Sequence, residues 1–319
     1  QTHAKKSGQW PQALSLLSDA RERKHRPNVI TYSAALSACE RAQEWEKAMH
    51  LMAMMRHDAV EPDLVAYNSG ISAAAVGGYW TGALSLLEEA RRGSLSPDIV
   101  TYSAAIAACN MGSRWEHALL LFGEIRRLRL KADAMAFVAA IGACGQGLRW
   151  QAVLSLVAEM EATGPRPNAI VYGAAVEACA SASRWAEALC FLSTARRRSV
   201  MPDRLMFSRA MSACEGNRQW ELVLGLLGDL VELLPPDVVA CGIAISACAS
   251  CGRWEHALAV LRDMERLRVV ADGIAYSAAM SACEKGQEWQ RALLLLAEGA
   301  RRPNLQLDTA AFSAAVSAC

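Results

Sequence analysis

The chain has 319 residues, of which 53% are hydrophobic and 20% charged, with a formal net charge of +1. That supply of apolar side chains excludes a disordered polymer. The charge balance excludes a strongly basic protein that coats nucleic acid through net charge alone, and no apolar run reaches the roughly 18 residues of a membrane span.

Tryptophan organises the chain from one end to the other. It stands at Trp10, Trp45, Trp80, Trp115, Trp150, Trp185, Trp220, Trp254 and Trp289, with seven spacings of 35 residues and one of 34. Self-similarity at this period predicts an array of identical supersecondary units. Residues 1–28 read as the tail of one unit. Complete units follow at 29–63, 64–98, 99–133, 134–168, 169–203, 204–237, 238–272 and 273–308, each closing on Asp or Asn, and 309–319 read as the head of another. Both ends cut through a unit and neither carries a polar capping repeat, which predicts a piece of a longer protein.

The first complete unit shows the pattern. Pro27 keeps the incoming segment out of a helix, and Asn28 is a preferred N-cap. Tyr32, Leu36 and Cys39 then recur on one helical face. The helix is predicted to stop before Trp45, with Gly77, Gly112, Gly147 and Gly286 supplying a left-handed residue at this break in later units. A second helix starts near Trp45 and continues the stripe through Ala48, Met49, Met52 and Met55. Each unit is thus an antiparallel helical hairpin that cannot bury its stripe alone. The tryptophans are predicted to be core residues burying on the order of 200 Å² each.

The 11 cysteines do not form a disulfide framework. Cys39, Cys109, Cys144, Cys179, Cys214, Cys248 and Cys283 share one register, which predicts small buried side chains in a reducing compartment. Cys248 and Cys251 form a lone CxxC without a second ligand pair, so no metal is expected. His117 and His256 occupy one register in different units, which argues against a unique catalytic centre. No nucleophile triad, phosphate loop or cofactor signature is present. Neither an enzyme nor a cofactor is therefore expected.

The opening Val29-Ile30-Thr31-Tyr32-Ser33, the Ala-rich helix behind it, Ala48 in the second helix and the closing Pro62-Asp63 resemble the pentatricopeptide repeat, and the resemblance runs through the entire chain. The 34-residue tetratricopeptide repeat fits this register less well. The recurrent Trp is a departure from the usual pattern and marks a variant. The resemblance implies an all-α, right-handed α-solenoid of tandem helix-turn-helix repeats. It also implies single-stranded RNA as partner, read at about one base per repeat, in mitochondrial or chloroplast RNA processing, stability, editing or translation.

By the same resemblance, the second residue of each unit sandwiches a base: Ile30, Val65, Val100, Met135, Ile170, Leu205, Val239 and Ile274. The fifth and last residues read its edge: Ser33 with Asp63, Asn68 with Asp98, Ser103 with Asp133, Val138 with Asn168, Gly173 with Asp203, Ser208 with Asp237, Gly242 with Asp272, and Ser277 with Asp308. Pairs with Ser or Gly resemble readers of G, and Asn68 with Asp98 a reader of U, giving 5′-G-U-G-N-G-G-G-G-3′. Structural roles compete at each place. Aliphatic second residues also suit packing on a neighbouring helix, and the closing Asp or Asn is already explained as an N-cap.

The cations give RNA little help. Where the family carries a basic residue near the end of the first helix, only Arg41 and Lys285 stand, against Val76, Met111, Gln146, Ser181, Gly216 and Ser250. The arginine clusters, such as Arg91-Arg92 and Arg126-Arg127, fall at second-helix ends, where they meet the negative end of the helix dipole. A protein-binding helical-repeat scaffold is the alternative function.

Overall fold

The computed structural model describes residues 10–22, 27–93, 95–301 and 309–318, and these form eighteen α-helices and no strand. They divide into two compact units. The first holds α1 (Trp10–Glu22), α2 (Val29–Ala42), α3 (Trp45–His57), α4 (Leu64–Val76), α5 (Trp80–Arg92), α6 (Ile99–Met111), α7 (Trp115–Arg127), α8 (Ala134–Gln146) and α9 (Trp150–Thr163). The second holds α10 (Ala169–Ser181), α11 (Trp185–Arg197), α12 (Arg204–Gly216), α13 (Trp220–Leu233), α14 (Val238–Ser250), α15 (Trp254–Arg266), α16 (Gly273–Lys285), α17 (Trp289–Arg301) and α18 (Thr309–Ala318). None of the helices is long and apolar enough to cross a membrane.

The first helix of each repeat begins directly after its Asp or Asn. That side chain accepts a hydrogen bond from the third helical amide at 2.8–3.1 Å in all eight cases, from Asn28 to Asp272. One of the orphan donors of every first helix is thereby satisfied. The second helix begins at the Trp each time.

Small residues decide the packing. Ala35, Ala105, Ala140, Ala175, Ala210, Ala244 and Ala279 are buried at one register of the first helices. Gly70 takes that place in α4, where a Cβ would press on Leu86 and Met52. First helices of successive repeats therefore approach closely: α2 on α4, α4 on α6 and α6 on α8 in one unit, α10 on α12, α12 on α14 and α14 on α16 in the other. Within each unit, a second helix that is followed by another first helix packs between its own first helix and that one, as α3 does between α2 and α4. The stripe of Tyr32, Leu36 and Cys39 is fully buried, as are Ala48, Met52 and Met55 behind it.

Two expectations need correction. The tryptophans are not core residues: those from Trp10 to Trp254 are only partly buried, and Trp289 is exposed. Each sits at the first turn of its helix, at the rim of the stack. Trp45, Trp80, Trp115 and Trp254 press against Gly77, Gly112, Gly147 and Gly286 of the following repeat. Those glycines, in turn, are not left-handed, with φ between −78° and −84°. The left-handed residue is the next one, as at Gly78 (φ 69°), Ser113 (φ 56°) and Leu148 (φ 55°). The glycine is there because the indole leaves no space for a Cβ.

Candidate RNA interface

The sandwiching candidates share one environment. Ile30, Val65, Val100, Met135, Ile170, Leu205, Val239 and Ile274 are all between 53% and 75% exposed. More than half of each residue's surface is thus left uncovered by the neighbouring helices. Each is the second residue of its helix. An exposed aliphatic residue taken singly needs no explanation. The same exposed type in eight consecutive repeats, while the next stripe residue is buried each time, does.

Beside this row lie the capping residues. In the first unit the structure joins three of the paired candidates. Ser33 Oγ donates to Asp63 Oδ1 at 3.2 Å, Ser103 Oγ to Asp133 Oδ1 at 3.0 Å, and Asn68 Nδ2 approaches Asp98 Oδ1 at 3.5 Å. The same Oδ1 atoms serve the caps, at Ala66, Ala136 and Thr101, which leaves the Oδ2 atoms to accept from another donor. Val138 lies partly buried on α8 and Asn168 caps α10.

In the second unit the pairs differ in their side chains. Ser208 makes no hydrogen bond to Asp237. Gly173 and Gly242 offer Asp203 and Asp272 no side chain; a Cβ at Gly242 would meet nothing within 4 Å, and one at Gly173 only Met206 Cε at 3.9 Å. The space there is open to a ligand. Ser277 bonds back to the Gly273 carbonyl at 2.7 Å, and its partner Asp308 lies outside the described residues.

Asp98 has the most elaborate surroundings. Burial works to raise its pKa, but the amide and hydroxyl of Thr101, the Asn68 amide and the Val100 amide outweigh it, and the carboxyl is held below its ordinary value of 3.8. It is thus ionised, and an ionised carboxylate only accepts hydrogen bonds.

The arginine clusters at second-helix ends do more than meet the helix dipole. Arg56 bridges Glu89 of the next second helix at 2.9 Å, and Arg91 with Glu124, Arg126 with Glu159, and Arg196 with Asp229 repeat the contact. A second set of cations covers the tryptophans: Arg114 stands 4.8 Å over Trp80, Arg149 4.3 Å over Trp115 and Arg291 4.2 Å over Trp254. Sequence reading missed both sets, although the ladder's regular separation of 33 residues was available as a signal.

Family models for the pentatricopeptide repeat match residues 15–75, and again 100–130 and 239–269. The chain contains pentatricopeptide repeats. Among solved structures, the pentatricopeptide repeat protein PPR10 in complex with an 18-nt psaJ RNA element matches with a TM-score of 0.76 at 18% identity, over 98% of this chain and 45% of that one. PPR10 from maize matches in a further crystal structure with a TM-score of 0.61, again at 18% identity, over 99% of this chain and 60% of that one. The chain thus spans about half the length of the PPR10 chains. At this identity the likeness establishes the fold, an α-solenoid of tandem helical hairpins. No curated protein matches the sequence. The exposed second residues and the capping carboxylates described above belong to these pentatricopeptide repeats.

Proposed function

We propose that this chain binds single-stranded RNA along its first helices at about one nucleotide per repeat. The observation that carries this is the set of eight exposed aliphatic side chains, four in each unit, each beside a capping carboxylate or amide. An aliphatic side chain on either side of a base offers an apolar face to its ring, and the Asp offers an acceptor to donors on its edge. Pairs with Ser or Gly leave room for a purine, and the carboxylate accepts from the imino and amino groups of G. Asn68 fills that space and adds a donor, which suits U. PPR10, of the same fold, is bound to RNA in its crystal structure.

The reading extends to organellar RNA metabolism, in a mitochondrion or chloroplast, where occupancy alone would block or expose a transcript for processing, editing or translation. Selection from a random single-stranded RNA pool at two salt concentrations tests it. A G-rich motif with U at its second position supports modular reading. Binding that is unselective and falls away with salt overturns it, and moves the function to a protein-binding scaffold.

A further inference from the structure

We propose that Thr101 sets the base choice of the repeat 64–98, acting as a positioning residue for Asn68; this rests on the reading of the first helices as an RNA interface. Thr101 belongs to the following repeat and is fully buried. Its Oγ1 stands 2.6 Å from Asn68 Oδ1 and 2.8 Å from Asp98 Oδ1. Its backbone amide donates to Asp98 Oδ1 at 2.9 Å, and the Asp98 amide donates to Oγ1 at 3.3 Å, closing a capping box.

The consequence is chemical. An asparagine amide offers a donor and an acceptor of nearly the same shape. Here the Thr101 hydroxyl, its single proton shared between Asn68 Oδ1 and Asp98 Oδ1, holds the carbonyl end of the amide, and the Nδ2 side turns toward Asp98. What remains for a ligand is a donor from Asn68 beside an acceptor from Asp98. The complement is an acceptor beside a donor, which the O4 carbonyl and the N3–H of uracil present. Turned round, the amide would set Oδ1 beside the Asp98 carboxylate, and two acceptors suit the paired imino and amino donors of guanine instead.

The sequence contains this arrangement once. Asn68 is the one amide at the fifth position of a complete repeat, and among the repeats that follow a complete one only 99–133 has Thr at its third residue; Thr31 holds that place in 29–63, behind the incomplete 1–28. Elsewhere that place holds Ala66, Ala136, Val171, Met206, Ala240 or Ala275. Val171 shows that valine fits this buried place within a repeat, so Thr101→Val removes the hydroxyl without removing the fold.

The test uses the motif selected by the wild-type chain, remade with U, C, A or G at the nucleotide whose preference Asn68→Ser alters. Wild-type chain is expected to favour U over G there. Thr101→Val should lose about tenfold of that preference, keep its preferences at the other nucleotides, and recover with Thr101→Ser. A purely structural role would lower affinity for all four RNAs alike, and that result overturns the proposal, as does an unchanged preference for U. If the wild-type chain selects no base anywhere, the RNA reading fails and takes this proposal with it. If selection is intact and only the Thr101→Val result is null, this proposal alone fails.

Discussion

Trp45 packs against Gly77, in the next repeat, so closely that a Cβ on Gly77 would overlap the indole. The contact recurs from Trp80 to Gly112 and from Trp115 to Gly147, and it joins α3, α5 and α7 to the ends of α4, α6 and α8. Gly77→Ala should therefore destabilise the chain by about 1–3 kcal/mol, because the neighbour is a stiff ring close to its own backbone. Gly123→Ala is the control. Gly123 is exposed inside α7 with nothing near its Cβ position, and alanine there should stabilise by about 0.5–1 kcal/mol. Urea unfolding of both variants decides it, and an unchanged midpoint for Gly77→Ala would show that the indole moves aside freely.

The helical hairpin was legible because its determinants are local. Pro27-Asn28, the face of Tyr32, Leu36 and Cys39, and the recurrence of Trp at a fixed period place both helices without tertiary information. The burial of Trp45 was not legible, since the residue type says how much area is available and not whether a neighbour covers it. Its partner, Gly77, was misread for the same reason: a glycine at a helix end has two explanations, φ and space, and only coordinates separate them. At the candidate interface, the apolar type at Ile30 or Met135 was legible but its exposure was not. The bond from Thr101 to Asn68 crosses between repeats and left no mark in the spacing.

The capping role of Asp133 and its proposed base-reading role can be separated. Asp133→Ala removes the acceptor used by the Ala136 amide and by Ser103 Oγ, and should cost about 0.5–2 kcal/mol of stability. Asp133→Asn keeps an oxygen for the cap and should stay within about 0.5 kcal/mol of the parent, since the two residues cap almost equally well. Its amide adds a donor, so it should still weaken selection of G at the nucleotide read by the repeat 99–133. Melting curves together with pool selection on both variants check this. Loss of stability in Asp133→Asn as large as in Asp133→Ala would tie the charge itself to the fold.

Asp98 gives the chain an acid-sensitive joint. Its folded pKa is depressed below the ordinary 3.8, so its contribution to stability is present above that value and is lost as pH falls through the folded one. Asp98→Asn caps without titrating and should flatten the decline in urea midpoint below about pH 4 relative to the parent, with little change at neutral pH. Parallel declines in the two proteins would remove Asp98 from the acid response.

The buried thiols should report on opening of the helices. Burial pushes the pKa of Cys109, Cys144, Cys214, Cys248 and Cys283 up to about 11, and that of Cys179 to about 12. The thiolate is the nucleophile, so at pH 8 these side chains are both covered and almost wholly protonated. Cys190 is exposed on α11. In native protein a disulfide reagent should label Cys190 rapidly, and Cys190→Ser should remove that site from the fast phase. The first-helix cysteines should react only at the rate at which their repeats unfold, and together with Cys190 once urea is added. Rapid labelling of Cys144 or Cys179 under native conditions would mean that first helices separate locally while the rest stays folded, which a chain of repeats held mainly by nearest neighbours permits.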